Sequence, residues 1–348
     1  MADVDSARYP RVAQLPLAKT WLTIQSNLGL AANTINAYAR GLEEYLAFAT
    51  MRGFSPEAAT REHMSAYVRE LSTRPGPRRK GTLQIGSETG LANATLQLRL
   101  TAVRLFYDYL MEEGIRRNNP VGRGRYTPGK GFCGAQDRGI LPRYRRLPWI
   151  PSDEQWRVVV ETARRERLRN RVMLALSYDA ALRREELCSL ETDDIDPALR
   201  LLRIRAETTK NRQERIVPYS EAGGALYGAY LGQRRNLSRG RGPLFLSESR
   251  RNRGLPVSIW TWSKVVNGMA QRSGVIRFTT HTPRHLCLTD LARANWDIKE
   301  IALFAGHRSF ESTLRYIHLS GRELAEKLER GMAEIHAWRV RALAEVLA

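Results

Sequence analysis

Cysteine is scarce and scattered in this 348-residue chain: Cys133, Cys188 and Cys287 are far apart, odd in number and in no Cys-x-x-Cys arrangement. That excludes a disulfide framework and a zinc finger, and leaves three plain buried thiols as the expectation. No apolar run approaches the ~20 residues that a membrane-spanning helix needs, so no membrane partner is expected. The first residues, Met1 to Ser6, have neither the basic nor the apolar region of a secretory leader, which gives a cytoplasmic expectation. A Gly-rich phosphate loop of the Walker type is missing as well, so no nucleotide cofactor is expected. Lysine is rare, with seven against 49 arginines. A lysine beside a candidate site therefore stands out.

Positive charge is what the chain has in excess. Lys and Arg number 56 against 36 Asp and Glu, a net charge of +20, and such a field draws in a polyanion by releasing its counterions. Nucleic acid is the partner class it favours. An apolar share of 43% over this length is enough for two cores.

The first 115 residues read as helical. Asn33-Thr34 caps a segment with Ile35, Tyr38, Leu42, Tyr45 and Leu46 at helical spacing. Ser55-Pro56-Glu57 reads as a cap, a proline and a first-turn acid, opening a helix to about Leu71. Leu96, Leu100, Val103, Tyr107 and Leu110 form the stripe of a further helix that ends near Gly114. Residues 116–150 change character: nine basic residues face the single acid Asp137 among glycines and prolines, the composition of a linker that could lie along phosphates. Residues 151–348 open with the capping box Ser152 to Gln155, followed by an apolar helix around Val172 to Leu176. Leu201 to Arg205 and Arg215 to Val217 read as two short strands, with Lys210 at the turn between them. Helices resume at Ile259. Tyr178, Trp260 and Trp262 are expected in the core. At the far end Leu324, Leu328, Met332, Ile335 and Trp338 form an apolar stripe, to be covered either by the chain's own domain or by a neighbouring subunit.

Four of the six histidines (His281, His285, His307 and His318) fall within 38 residues, together with Arg284 and Tyr316. Histidine handles protons near neutral pH, and a guanidinium binds phosphate oxygens through a fixed charge and paired donors. His281 and His285, four residues apart, have no glutamate between them and no third ligand, so no metal is expected. His285 and His318 are expected to serve as structural hydrogen-bonding groups.

In chain order the polar outliers of the second half are Arg183, Glu186, Lys210, His281, Arg284, His307 and Tyr316. They stand in Ala181-Leu182-Arg183-Arg184-Glu185-Glu186-Leu187, Thr209-Lys210-Asn211, His281-Thr282-Pro283-Arg284-His285 and Ala305-Gly306-His307 through Thr313 to Tyr316-Ile317-His318. This series resembles the tyrosine recombinase (phage integrase) family, the kind that includes transposon-borne tyrosine transposases, Xer-type recombinases and integron or phage integrases. Asn33 to Phe48 and Thr95 to Pro120 resemble the family's core-binding domain. Pro283 and Ala305 depart from the usual aliphatic residues there, without removing any reactive group. The N-terminal region does not resemble the arm-binding module of some phage integrases, so regulation by distant arm sites is not expected.

The resemblance implies a mainly α fold with a small β-sheet in the catalytic domain, built as a two-domain DNA clamp. A helical, SAM-like core-binding domain would span 1–115, a basic linker 116–150 and the catalytic domain 151–348. It implies a prokaryotic enzyme acting as a homotetramer on two double-stranded DNA sites at the nucleoid, through a 3′-phosphotyrosyl intermediate and a Holliday junction. Tyr316 would be the nucleophile, Arg183, Arg284 and His307 the phosphate-binding groups, His281 the proton acceptor and Lys210 the general acid, with Glu186 orienting Arg183. The C-terminal stripe would dock on the next subunit. The same chemistry without partner exchange would make a type IB topoisomerase or a hairpin resolvase, and loss of chemistry would leave a DNA-binding regulator.

Overall fold

The structure is a computed structural model that describes residues 7–74, 90–121, 141, 147–314 and 316. Two compact units divide the chain, Met1–Arg146 and Leu147–Ala348. Most of the basic stretch 116–150, Cys133, His318 and the C-terminal stripe from Leu324 lie outside the described residues.

The first unit is helical: α1 (Pro10–Gln14), α2 (Pro16–Asn27), α3 (Ala32–Met51), a 3-10 turn (Pro56–Ala58), α4 (Arg61–Thr73) and α5 (Asn93–Glu112). The stripes read from the sequence become its core, with Leu42, Tyr45, Val103, Tyr107 and Leu110 fully buried alongside Trp21, Tyr67 and Phe106. Helices α3 and α5 approach closely at Gly41, where an added Cβ would stand 3.0 Å from that of Ala102. Arg99 crosses the same seam to Glu44 at 2.9 Å.

Two helix starts differ from expectation. Asn33 and Thr34 lie inside the first turn of α3, behind the N-cap residue Ala31. Ser55 opens only the 3-10 turn, and the true helix begins at Arg61, capped by Thr60 and His63 in a reciprocal box. Long-range bonds explain the second shift: the Pro56 carbonyl accepts from Tyr107 Oη at 3.0 Å and Arg116 Nη1 at 2.8 Å, and the Ala59 carbonyl from Arg116 Nη2 at 2.8 Å. Those carbonyls are thereby engaged by side chains, and among the described residues the only backbone bond to the Pro56 carbonyl is the 3-10 one from the Ala59 amide at 3.4 Å.

The second unit contains α6 (Asp153–Arg164), α7 (Leu168–Asp179), α8 (Arg184–Cys188), β1 (Ile195–Asp196), β2 (Leu201–Ile204), β3 (Arg215–Pro218), α9 (Glu221–Arg234), α10 (Ile259–Arg272), α11 (Thr282–Arg293), α12 (Ile298–Ala305) and α13 (Phe310–Leu314). The capping box Ser152/Gln155 is present. The two expected strands pair antiparallel, Leu202 opposite Val217 and Ile204 opposite Arg215, and the short β1 adds an edge beside β2. Cys287 is buried and Cys188 partly so, both as free thiols. Trp262 is in the core, and Tyr178 is partly buried with its hydroxyl on Asp290 at 2.8 Å. Trp260 is not: it is 70% exposed, because α10 buries the face of Trp262, Val266, Met269 and Ala270 and turns residue 260 outward beneath Arg184.

The cap assignment is testable. Thr60→Ala should cost about 1 kcal/mol of stability, whereas Ser55→Ala, which removes no side-chain cap bond, should be nearly neutral. Denaturant titration of the two variants, followed by helical circular dichroism, checks the order; equal losses would contradict it.

Candidate active site

Four separate segments of the second unit meet at the carboxyl end of α12. A helix leaves its last carbonyls without intrahelical partners. Here Gly306 ends the helix at φ 61°, in the left-handed region that glycine enters without a Cβ penalty. Three arginines supply donors to successive carbonyls: Arg215 Nε to Phe304 at 3.1 Å, Arg284 Nη2 to Ala305 at 2.6 Å and Arg183 Nη2 to Gly306 at 3.3 Å. The negative end of a helix dipole favours cations at this place.

Glu186 ties two of the three together. Its Oε1 accepts from Arg183 Nη1 at 2.7 Å and Arg215 Nη1 at 3.1 Å, and its Oε2 accepts from Arg215 Nη2 at 2.7 Å and the Arg183 amide at 2.9 Å. It is 1% exposed. Burial pushes its carboxyl up, but the bonds and charge of Arg215, joined by those of Arg183, outweigh burial and hold it down at about 2. Three guanidinium groups around one carboxylate leave two positive charges in excess.

Arg284 comes from the first turn of α11 and is buried. Its Nη1 donates to the Ala181 carbonyl, which the α7–α8 turn presents by holding Ala181 at φ 46°, a sparsely populated region for a residue with a side chain. Burial, then the charge of Arg183, lowers the Arg284 guanidinium to about 10, so it stays charged at neutral pH. Arg284 Nη2 also lies 3.0 Å from His307 Nε2. A guanidinium can only donate, so Nε2 accepts and the ring carries its proton on Nδ1, which donates to Thr313 Oγ1 at 2.9 Å.

Tyr316 follows one turn of chain after α13. Its ring lies parallel to that of His307, with centroids 5.7 Å apart and planes within 10°, and packs among Ala181, Cys287, Leu288, Ile301 and Ala305. Only 8% of the residue is exposed. Its hydroxyl is 3.0 Å from His285 Nδ1. His281, the residue expected to take the proton, stands at the N-cap of α11, exposed, with its ring 6.3 Å from that of His285. Lys210 is exposed on the β2–β3 connection. The next residue, Asn211, donates to the Gly306 carbonyl at 3.1 Å and so moors that turn to the same helix end.

Arg183, Glu186, Arg284, His307 and Tyr316 thus share one cluster, Lys210 adjoins it through Asn211, and His281 borders it through His285. Sequence reasoning placed Thr313 in a motif without giving it a role, and missed the role of Arg215 and the contact of His285 with Tyr316. Arg215 did leave a signal, since it shares a strand face with buried Val217 and a charge on a buried face needs a partner. Among the described residues no group of three or more His, Cys, Asp or Glu side chains could hold a metal ion, and no helix is long and apolar enough to cross a membrane.

The Glu186 cluster carries a pH signature. A carboxyl held at about 2 in the folded chain, against about 4.3 unfolded, contributes stability that is complete above the unfolded value and is lost as pH falls toward the folded one. Wild-type stability should therefore fall between pH 5 and 3 (~ values set by those two pKa's) by more than that of Glu186→Gln, which has nothing to titrate there. At neutral pH the same variant should be destabilised by about 3 kcal/mol or more. Urea midpoints across the window check both, and parallel pH curves would refute the pairing.

Residues 150–323 match the model of the phage integrase family, and residues 19–114 match that of the phage integrase N-terminal SAM-like domain. Curated relatives include tyrosine recombinase XerC of Thermodesulfovibrio yellowstonii, 25% identical over 320 residues that cover 88% of this chain and 92% of that protein. Tyrosine recombinase XerD of Corynebacterium glutamicum is 27% identical over 321 residues, 89% of this chain and 95% of that one. Among solved structures, the Tn1549 transposon integrase in complex with transposon right end DNA is similar at a TM-score of 0.63 and 15% identity, over 91% of this chain and 99% of that one. The XerH site-specific recombinase bound to its difH substrate gives 0.61 and 18%, over 92% and 83%. The last two similarities speak for the fold, mainly helical with one small sheet. The family models speak for the sequence, and by them this chain belongs to the phage integrase family, that of the tyrosine recombinases.

Proposed function

We infer that the chain is a site-specific DNA recombinase that cuts and rejoins strands through a covalent 3′-phosphotyrosyl bond to Tyr316. The observation that carries this reading is the meeting of a buried phenol with Arg183, Arg284 and His307 at one helix end. A phosphodiester repels nucleophiles through its anionic oxygens, so its attack needs fixed cations and donors at those oxygens. Each guanidinium has five N–H donors. Arg183 commits one to Glu186 and one to Gly306, and Arg284 commits its own to Ala181, Ala305 and His307, so both retain donors for a phosphate.

In the forward step the Tyr316 oxygen attacks phosphorus, the bond to the 5′ oxygen breaks, and one phosphodiester replaces another. Bond energy is retained, so a second 5′ hydroxyl can reverse the step without a nucleotide. His281 takes the phenolic proton, and Lys210 on its moored turn delivers a proton to the departing 5′ oxygen. Residues 1–115 would serve as the core-binding domain, 116–150 as a basic strap and 151–348 as the catalytic domain, together clamping duplex DNA drawn in by the net charge of +20. Two DNA sites held by a homotetramer in the cytoplasm would complete the exchange through a Holliday junction.

Tyr316→Phe should keep the fold and the affinity for DNA while abolishing covalent attachment. The substrate is a duplex selected for tight binding from a random-sequence pool, nicked so that the cut product escapes, and denaturing gels read the adduct; an adduct in the variant would overturn the assignment. Exchange between two copies of that duplex, rather than relaxation alone, separates a recombinase from a topoisomerase.

Lys210→Ala should slow cleavage of ordinary DNA by about 100-fold or more. A substrate with sulfur at the 5′ bridging position should lose far less, because a thiolate leaves without protonation. Equal losses on the two substrates would make Lys210 a phosphate ligand instead.

A further inference from the structure

The Tyr316 hydroxyl has a partner that the motif residues leave out. His285 Nδ1 lies 3.0 Å from it, and the two rings are 5.4 Å apart at 32°. His285 is the residue after Arg284 on α11, so one rigid helix carries both the guanidinium placed for the phosphate and the group that holds the phenol. The phenol ring also lies parallel to the ring of His307, whose Nε2 is in turn bonded to Arg284. The phenol is therefore referenced to Arg284 twice, once through each histidine.

Resting on the reading of Tyr316 as nucleophile, we propose that His285 is the positioning residue of the reaction: its Nδ1 fixes the rotation of the phenol so that the oxygen faces the phosphate held by Arg183 and Arg284. It does not act by keeping the proton. Burial, with the charges of His281 and Arg284, lowers its imidazole to about 4. So weak a base stays neutral at neutral pH, and the ring contributes a directed hydrogen bond. Misplacement of a reacting atom by an ångström can cost about 100-fold in rate, and a tyrosine turning freely about its side-chain bonds moves its oxygen by more than that.

The test uses the full chain and the selected, nicked duplex described above. His285→Leu keeps volume and removes the hydrogen bond; His285→Asn carries amide atoms at the place of Nδ1. Single-turnover cleavage at saturating DNA should fall by about 30- to 100-fold in His285→Leu, with the DNA dissociation constant changed by less than about twofold. His285→Asn should return to within about tenfold of wild type. A wild-type rate in His285→Leu would overturn the proposal, and a faster rate would make the contact a restraint on the nucleophile instead. Equal losses in both variants, accompanied by lowered melting temperatures, would reduce His285 to a packing role and also overturn it. Tyr316→Phe run in parallel keeps the two readings apart: an adduct there sinks the nucleophile itself, whereas an inert Tyr316→Phe beside a normal His285→Leu sinks only the positioning role.

Discussion

The capping of one short helix end by three arginines is the interaction on which the site depends. Carbonyls of Phe304, Ala305 and Gly306 receive Arg215, Arg284 and Arg183, which arrive from β3, α11 and the α7–α8 turn. Each arginine would be costly to bury alone. Exposed ion pairs contribute about 0–1 kcal/mol, but removing one partner of a buried pair costs about 3–5 kcal/mol. The buried carboxylate of Glu186 and the helix carbonyls together make this concentration of positive charge tolerable. Because the two positive charges left over are fixed by backbone geometry, they need no reorganisation when an anion arrives.

The same helix end orders the remaining groups. Gly306 lets the chain turn back sharply, so His307 falls beside Arg284 and the segment through α13 returns Tyr316 onto the His307 ring. Asn211 bonds to the carbonyl that Arg183 uses, which brings the turn bearing Lys210 to the rim. The nucleophile candidate is thereby packed in an apolar satellite cluster with its one polar atom satisfied. Such packing leaves little of the phenol in contact with water.

Division of labour between the units follows from their composition. The first unit has an aromatic helical core in which Trp21, Tyr45, Tyr67, Phe106 and Tyr107 interlock, and burial holds the phenols of Tyr45, Tyr67 and Tyr107 above their usual range. Reactive groups are concentrated in the second. A net charge of +20 favours long-range attraction to a polyanion for the chain as a whole, and local chemistry is left to a few residues.

By itself the sequence determined the features that depend on neighbours within a turn or along one strand. Apolar spacing from Leu96 to Leu110 fixed a helix, Ser152 and Gln155 fixed the start of α6, and the short apolar runs around Leu202 and Val217 fixed the hairpin. The motif boxes brought Arg183, Glu186, Lys210, His281, Arg284, His307 and Tyr316 into one list, because each box is a short segment whose residue types match a family pattern. Tertiary structure alone decided which of them touch. The start of α4 moved to Arg61 through bonds from Tyr107 and Arg116, more than forty positions away. Trp260 was turned outward by the face that α10 buries, and Arg215 was recruited to Glu186 across 29 residues. His285 met Tyr316 across 31 residues, a contact no local pattern encodes. Periodicity and capping are fixed by the chain's own geometry, whereas a hydrogen bond between distant side chains exists only where packing sets their separation and excludes competing water.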